Sequence, residues 1–364
     1  MKILIVARPF SVHGGVETAT SGLLGALVAH GHEVHRAGPG RQTAHEGVTD
    51  HRLPLPPLPA ALRPLALAAL AARVAAWSGW DVVQSHERTL RQDIYRAGEG
   101  SHRAYLDAVA PAAAGRLRHR VMLALERRVF ARTPEIVAIS QAGRAEIARL
   151  HDVADARLSV VYNGVDLERF HPRVRAAHRA TARAEAGLSP STWTLLFAGS
   201  GFERKGLDLA IDAVHVLGEA STRLVVIGRG DVPRYRALAR ERGVADRVVW
   251  LGVRADIERW YAAADVLVLP TRYEPFGNVH LEALAAGLPV VTSRAAGGAE
   301  VIDARCGAVV DLSPGALAGA VMALRARRPA ELQAAARAAA EPFTFARQVS
   351  ELERIYKRVG GRNR

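Results

Sequence analysis

The sequence predicts an α/β protein built from two doubly wound, parallel-sheet domains in tandem. Three observations carry that reading. Short apolar runs alternate with helical patterns along the whole chain, the signature of parallel strands covered by helices. The alternation restarts after "LSVVYNGVDLERFHP". The length of 364 residues suits two domains, and with 49% hydrophobic and 23% charged residues the chain can fill two cores.

In the first half, "KILIVA" reads as a strand, "HGGVE" as a glycine turn and "TATSGLLGALVAHG" as a helix stopped at Gly31. The strands "HEVHRAG", "DVVQSH" and "EIVAIS" follow, and the proline-punctuated "RLPLPPLPAALRP" is a loop entering a helix at 62–77. In the second half "TWTLLFAGS", "RLVVIGRG", "RVVWLG", "DVLVLP" and "PVVTS" read as strands, alternating with the helical "GLDLAIDAVHVLG", "VPRYRALARERG" and "IERWYAAA". The segment "HPRVRAAHRATARAEAGLSPS" reads as a linker or surface helix. The boundaries drawn are 1–170 and 171–345, with 346–364 a C-terminal helix able to pack back on the N-terminal domain. Such domains bind ligands at the carboxyl ends of their strands, where glycine turns open helices, and two of them in tandem leave a cleft.

Four stretches could carry chemistry there. In "TRYEPFGNVHLEALAAGLPVV", the loop after "DVLVLP" carries Glu274, Asn278 reads as an N-cap, Val279 to Ala286 as a helix with Glu282 near its first turn, and Gly287 as its stop. The amides of Gly277, Asn278 and Val279 at that helix end suit a phosphate. A carboxylate beside a phosphate repels it, so Glu274 and Glu282 read as acceptors for sugar hydroxyls; the plainer alternative for Glu282 is complementing the helix dipole. In "GSGFERKGLDLA" the adjacent cations Arg204 and Lys205 suit a pyrophosphate, Arg by a bidentate fork and Lys as a point charge, or else form a basic helix start on the surface. No Ser or Thr follows the Gly-Lys pair of a P-loop. In "HGGVE", Gly14 and Gly15 permit close backbone approach, as would any tight turn, and the three-glycine dinucleotide fingerprint is missing. In "QDIYRAGEGSHRAYL", read as a loop, Glu99 and His102 flank Gly100, with His86 and Glu87 at the end of the preceding strand.

Taken together, "EPFGNVHLEALAAGLPVV", "RKG" about seventy residues upstream, "NGVD" at 163–166 and the N-terminal "GG" loop resemble the retaining family 4 glycosyltransferases of GT-B fold. "DIYRAGEGSHRAYL" after "DVVQSH" is similar to lipopolysaccharide-core glucosyltransferases within that family. The resemblance implies two Rossmann-like domains facing each other across a cleft. It gives Arg204 and Lys205 the donor diphosphate, Glu282 the ribose hydroxyls and Glu274 the hydroxyls of the transferred sugar. The amides of Gly277 to Val279 and of Gly15 complete the phosphate site, with Gly14 and Phe276 beside it. Glu99 and His102 take acceptor or catalytic roles. It implies a hexosyltransferase using a nucleotide sugar, UDP-glucose, and a lipopolysaccharide-core or other glycan acceptor, with no cofactor and no metal. The alternatives are an epimerase or hydrolase of the same fold, or a non-catalytic nucleotide-sugar-binding protein.

Composition bounds the rest. The single Cys306 excludes an intramolecular disulfide and points to a reducing compartment, the cytoplasm. "MKILIVARPF" has too short an apolar core for a signal peptide, and "LALAALAARVAAW", interrupted by Arg73, is too short to span a bilayer. The net charge of +13 favours anionic partners. Ten arginines between Arg88 and Arg132, against four acidic residues, suit peripheral contact with an anionic membrane or a solvated face. No zinc spacing, RNA-binding signature or aromatic-basic interleaving supports nucleic acid.

Overall fold

The computed structural model describes residues 1–8, 15–40, 43–77 and 79–360. Thirteen strands are found there, β1 Lys2–Val6, β2 Glu33–Pro39, β3 Val48–Leu53, β4 Val82–Ser85, β5 Ile94–Arg96, β6 Glu135–Ala138, β7 Leu158–Val160, β8 Trp193–Ala198, β9 Thr222–Ile227, β10 Val248–Gly252, β11 Val266–Leu269, β12 Val290–Ser293 and β13 Gly307–Val310. The helices between them are α1 Gly15–Ala29, α2 Arg63–Ala75, α3 His102–Val109, α4 Leu117–Arg132, α5 Gln141–His151, α6 Pro172–Glu185, α7 Phe202–Lys205, α8 Leu207–Leu217, α9 Val232–Glu241, α10 Ile257–Ala263, α11 Asn278–Ala285, α12 Pro314–Arg325, α13 Pro329–Ala340 and α14 Phe345–Gly360.

The chain forms two compact units, each with its own parallel sheet. Strand order is β3-β2-β1-β4-β5-β6-β7 in the first and β10-β9-β8-β11-β12-β13 in the second. Both orders reverse direction beside the unit's first strand, so each sheet has a switch point, between β1 and β4 and between β8 and β11.

In the first unit, period-two alternation along β1 sends Ile3 and Ile5 to one face, with Leu23, Leu24 and Leu27 of α1, and Leu4 and Val6 to the other, with Ala71 and Val74 of α2. The first face is completed by Val349, Leu352, Ile355, Tyr356 and Val359 of α14. In the second unit Leu195 and Phe197 of β8, Leu224 and Val226 of β9 and Val266 and Val268 of β11 pack under α8 and α12.

The units divide at Gly164/Val165 and Thr344/Phe345 rather than at 170/171 and 345/346. Val165 belongs to the second unit because its amide donates to Phe343 O at 2.8 Å and it bridges to Thr344. Gly164 stays in the first, where a Cβ would meet the Phe345 backbone at 2.7 Å. The 171–191 segment is not a linker. It forms α6, whose Arg175, Arg179 and Arg183, four residues apart, reach the carbonyls of Ala262, Ala263 and Ala264 at the end of α10, and Asp265. They satisfy acceptors that a helix C-terminus otherwise leaves open. The 92–106 stretch is not a loop either: Ile94–Arg96 pairs between β4 and β6, and the Ser101 hydroxyl caps α3 by accepting from the Ala104 amide.

Candidate functional site

In the second unit the site is built at the switch point, by the segments that leave β8 and β11. After β8 the chain turns through Gly199 and Gly201 into the one-turn α7, and this turn presents Arg204 and Lys205. Gly206 ends it at a φ of 74°, and a Cβ there would lie 2.0 Å from Pro270 O, so the two segments touch backbone to backbone. They are tied further: Thr271 Oγ1 and Arg272 N both donate to Arg204 O, at 3.0 and 2.8 Å, and Arg272 pairs with Asp208 at 2.6 Å.

This stitching brings Glu274 onto the two cations. Arg204 Nη1 donates to Glu274 Oε2 at 2.6 Å and to Tyr273 O at 3.0 Å, and Lys205 Nζ donates to the same Glu274 oxygen. The Glu274 backbone is pinned by Gly297 N at 2.8 Å and by its own amide to Ala295 O at 3.2 Å. Burial pushes the Glu274 carboxyl up, but Lys205 and Arg204 outweigh it and hold it at about 2. Burial lowers the Lys205 ammonium, against the pull of Glu274. The sequence reading gave the cations and Glu274 separate ligand contacts; the structure joins them in one hydrogen-bonded cluster.

Glycine sets the next turn. Gly277, at a φ of 87°, is the cap of α11, and Asn278 is its first helical residue rather than its N-cap. A Cβ at 277 would lie 2.5 Å from His280 Nδ1, which leaves no room for a side chain. Glu282 is the fifth residue of α11, one residue further in than expected; it is 6% exposed and accepts from Tyr261 Oη at 2.7 Å. Burial raises its carboxyl. His280 faces the Gly277 carbonyl and the Thr292 hydroxyl at 2.8 and 2.9 Å, and burial lowers it to about 4. Phe276 is buried, and Val279 packs at the rim of the second core.

In the first unit the same topology gathers a second polar group. Arg8, just after β1, donates to Glu87 after β4 at 2.7 Å and to Glu99 after β5 at 2.9 Å. Arg88 reaches Glu99 at 3.3 Å and the fully buried Glu126 at 3.0 Å. Burial raises Glu87 despite Arg8; for Glu99 burial acts the same way, but Arg8 and Arg88 together bring it below its ordinary value. His102 opens α3, its amide donating to Glu126 and its Nε2 lying 3.0 Å from His119 Nδ1. Burial, then the Arg88 charge, lowers it to about 4, so it is neutral at pH 7. Gly15 is the first residue of α1, and Gly14 lies outside the described residues. Sequence reasoning missed Arg8, Arg88, Glu126 and Tyr261. A charged residue just beyond a strand's carboxyl end is the signal that could have found Arg8.

Residues 192–327 match the family model described as glycosyl transferases group 1, and residues 13–169 match that of Glycosyltransferase Family 4. The chain belongs to the family 4 glycosyltransferases. Among relatives of this family, it is 32% identical over 199 residues to the lipopolysaccharide glucosyltransferase WaaG of Escherichia coli K12, covering 53% of each chain. It is 36% identical over 249 residues to the D-inositol 3-phosphate glycosyltransferase of Xylanimonas cellulosilytica, covering 64% of this chain and 58% of the relative. The matches thus span about half the length of these relatives. The crystal structure of WaaG, a glycosyltransferase involved in lipopolysaccharide biosynthesis, superposes with a TM-score of 0.84 over 96% of this chain and 99% of WaaG, at 23% identity. Anabaena HepE in complex with UDP and glucose superposes at 0.75 over 97% and 99%, at 20% identity. The fold is GT-B, with one Rossmann-like sheet in each unit.

Proposed function

We propose that this family 4 chain is a retaining, metal-independent hexosyltransferase that uses UDP-glucose and glycosylates a glycan or glycolipid acceptor, the lipopolysaccharide core. The observation that supports it is the Arg204–Lys205–Glu274 cluster at the β8/β11 switch point, two cations and a carboxylate of the kinds a diphosphate and its sugar require. Relatives lend the substrate classes: WaaG is named a lipopolysaccharide glucosyltransferase, and HepE is described with UDP and UDP-glucose.

In this reading Arg204 and Lys205 bind the diphosphate and stabilise the charge it gains as the bond from the anomeric carbon to the phosphate oxygen breaks. Preorganised donors of this kind are usually the largest single catalytic contribution. The acceptor oxygen bonds the anomeric carbon on the face the diphosphate leaves, and its proton passes to the departing phosphate oxygen. Glu274 accepts from the sugar's hydroxyls and Glu282, oriented by Tyr261, from the ribose. Glu99 and His102 border the acceptor; Glu99, ionised, can accept its hydroxyls. The amides of Gly277 to Val279 and of Gly15 line the phosphate site. No three His, Cys, Asp or Glu among the described residues are grouped to hold a metal ion, and in this reading neutralisation falls to the cations.

The test is the Arg204→Ala/Lys205→Ala double variant. Transfer should fall by on the order of a hundredfold or more, as for loss of an oxyanion donor, with UDP binding hurt more than uridine binding and EDTA without effect on the parent. Wild-type turnover in the double variant would sink the diphosphate assignment, and release of free or epimerised sugar without acceptor favours the hydrolase or epimerase reading. We also place the chain at the cytoplasmic membrane face by electrostatic contact. Its arginine-rich 88–132 stretch carries the exposed Leu117, and no helix among the described residues is long and apolar enough to cross a bilayer. Equal binding to anionic and neutral vesicles at low salt would reject that contact.

A further inference from the structure

The carboxyl end of β5 carries a buried charge that its surroundings leave uncompensated. Arg96, the last residue of β5, is 4% exposed, and its Nη2 donates to Asn163 Oδ1 at 2.5 Å. The groups around it are neutral. Gln84, fully buried, accepts from Tyr356 Oη at 2.9 Å and lies 2.8 Å from His86 Nε2. Burial, then the charge of Arg96 itself, takes His86 down to about 3, and burial holds the Tyr356 phenol well above its ordinary range.

The other buried arginines of this unit differ. Arg36 pairs with Asp50 at 2.7 Å, and Arg88 with Glu126 at 3.0 Å. Among the described residues Arg96 has no carboxylate within ion-pair distance, and burial lowers its guanidinium to about 10. A buried charge without a counter-ion is costly, and proteins otherwise pair it. Strand carboxyl ends are where doubly wound sheets take ligands. A guanidinium is also the side chain best shaped to hold phosphate or carboxylate through two parallel hydrogen bonds.

We propose that Arg96, oriented by Asn163, is an anion-binding residue of the first unit that receives a phosphate or carboxylate carried by the acceptor. Assigning the anion to the acceptor rests on the glycosyltransferase reading; the anion site itself does not. The acceptor class it selects is an acidic or phosphorylated sugar rather than a neutral one.

Thermal unfolding of the Arg204→Ala/Lys205→Ala chain, which lacks the other candidate anion site, tests this with inorganic phosphate, acetate and chloride at matched ionic strength. Phosphate or acetate should raise Tm saturably over chloride, phosphate pointing to a phosphorylated acceptor and acetate to a carboxylated one. Adding Arg96→Gln should abolish the rise. Asn163→Asp, which sets a carboxylate against the guanidinium, should raise Tm without added anion and abolish the response as well; it decides the matter if Arg96→Gln does not fold. No rise with either anion, or a rise that survives both substitutions, overturns the proposal. UDP calorimetry on the unmutated chain reads the donor assignment separately, since absent UDP binding rejects the proposed function while the anion response stands on its own.

Discussion

At the scale of single residues, Glu274 decides how the proposed donor site is held together. Its carboxylate neutralises one of two adjacent cations, one of them the nearly buried Lys205, and so lets both be held at the strand ends before a ligand arrives. Breaking a buried ion pair by removing one partner costs about 3–5 kcal/mol, because the other charge is stranded. Glu274→Gln should therefore lower Tm of the free chain, UDP should restore most of the loss, and the UDP Kd should fall by roughly tenfold, or ~1.4 kcal/mol, as the cations lose their internal competitor. Turnover should drop, since the sugar loses an acceptor. Calorimetry and steady-state rates give both numbers, and weaker UDP binding in the variant would show that Glu274 serves the diphosphate and does not compete with it. His280 gives a pH prediction. Its folded value of about 4 lies below the ordinary ~6.5, so between those values the unfolded chain takes a proton that the folded chain refuses. Stability should fall with pH across that window by up to about 1.4 kcal/mol per unit for this residue. Urea midpoints at pH 7 and 5.5 should differ less in His280→Gln than in the parent; an equal difference would assign the acid sensitivity elsewhere.

Between residues and domains, the elements that present the site are set by glycine and by backbone contact. The sequence showed α11 and its stop at Gly287 plainly, because proline, glycine and an apolar run punctuate them. Its start was read one residue late: Asn278 has the side chain of a cap, but only glycine fits a φ of 87° beside His280. Elements β5 and β7 have three residues each, too few to show a period, and were missed, as were β3 and β13. The pairing of Arg204 with Glu274, 70 residues apart, and of Arg88 with Glu126, 38 apart, depends on strand order, which no local pattern carries. What was legible was each motif's residue types and its place at a strand end; what was not was who bonds whom. Gly277→Ala tests the element-level account. The left-handed conformation alone costs a residue with Cβ about 1–2 kcal/mol, and the contact with His280 adds to that. The urea midpoint should drop and the KM for the donor should rise as α11 shifts, while an unchanged midpoint would show that the turn relaxes freely.

The whole molecule is two folding units, and α14 is the piece that makes the first unit depend on both ends of the sequence. The chain enters the second unit at Val165 and leaves it at Thr344, residues that bridge to each other. From Phe345 on it returns to cover the sheet face of β1, β4 and β5. The apolar residues Val349, Leu352, Ile355, Tyr356 and Val359 recur every three or four positions, which gives one buried stripe, each at most 5% exposed. Polar contacts fix its register: Gln348 accepts from Gly164 N at 3.0 Å, Glu353 lies 2.9 Å from His32, and Arg358 reaches Glu135 at 2.5 Å. Burying a large apolar side chain is worth about 1.5–3 kcal/mol, so five together approach the whole stability of an ordinary domain, about 5–15 kcal/mol. Ending the chain at Thr344 should therefore abolish the unfolding transition of the first unit and expose its apolar face, seen as dye binding and loss of solubility. The second unit, whose core contains no residue of α14, should keep its own transition. Leu352→Ala, at about 2–5 kcal/mol, should lower the first unit's transition selectively where truncation proves too severe to handle. If scanning calorimetry finds both transitions unchanged in the truncated chain, α14 is an attachment to a unit that folds without it.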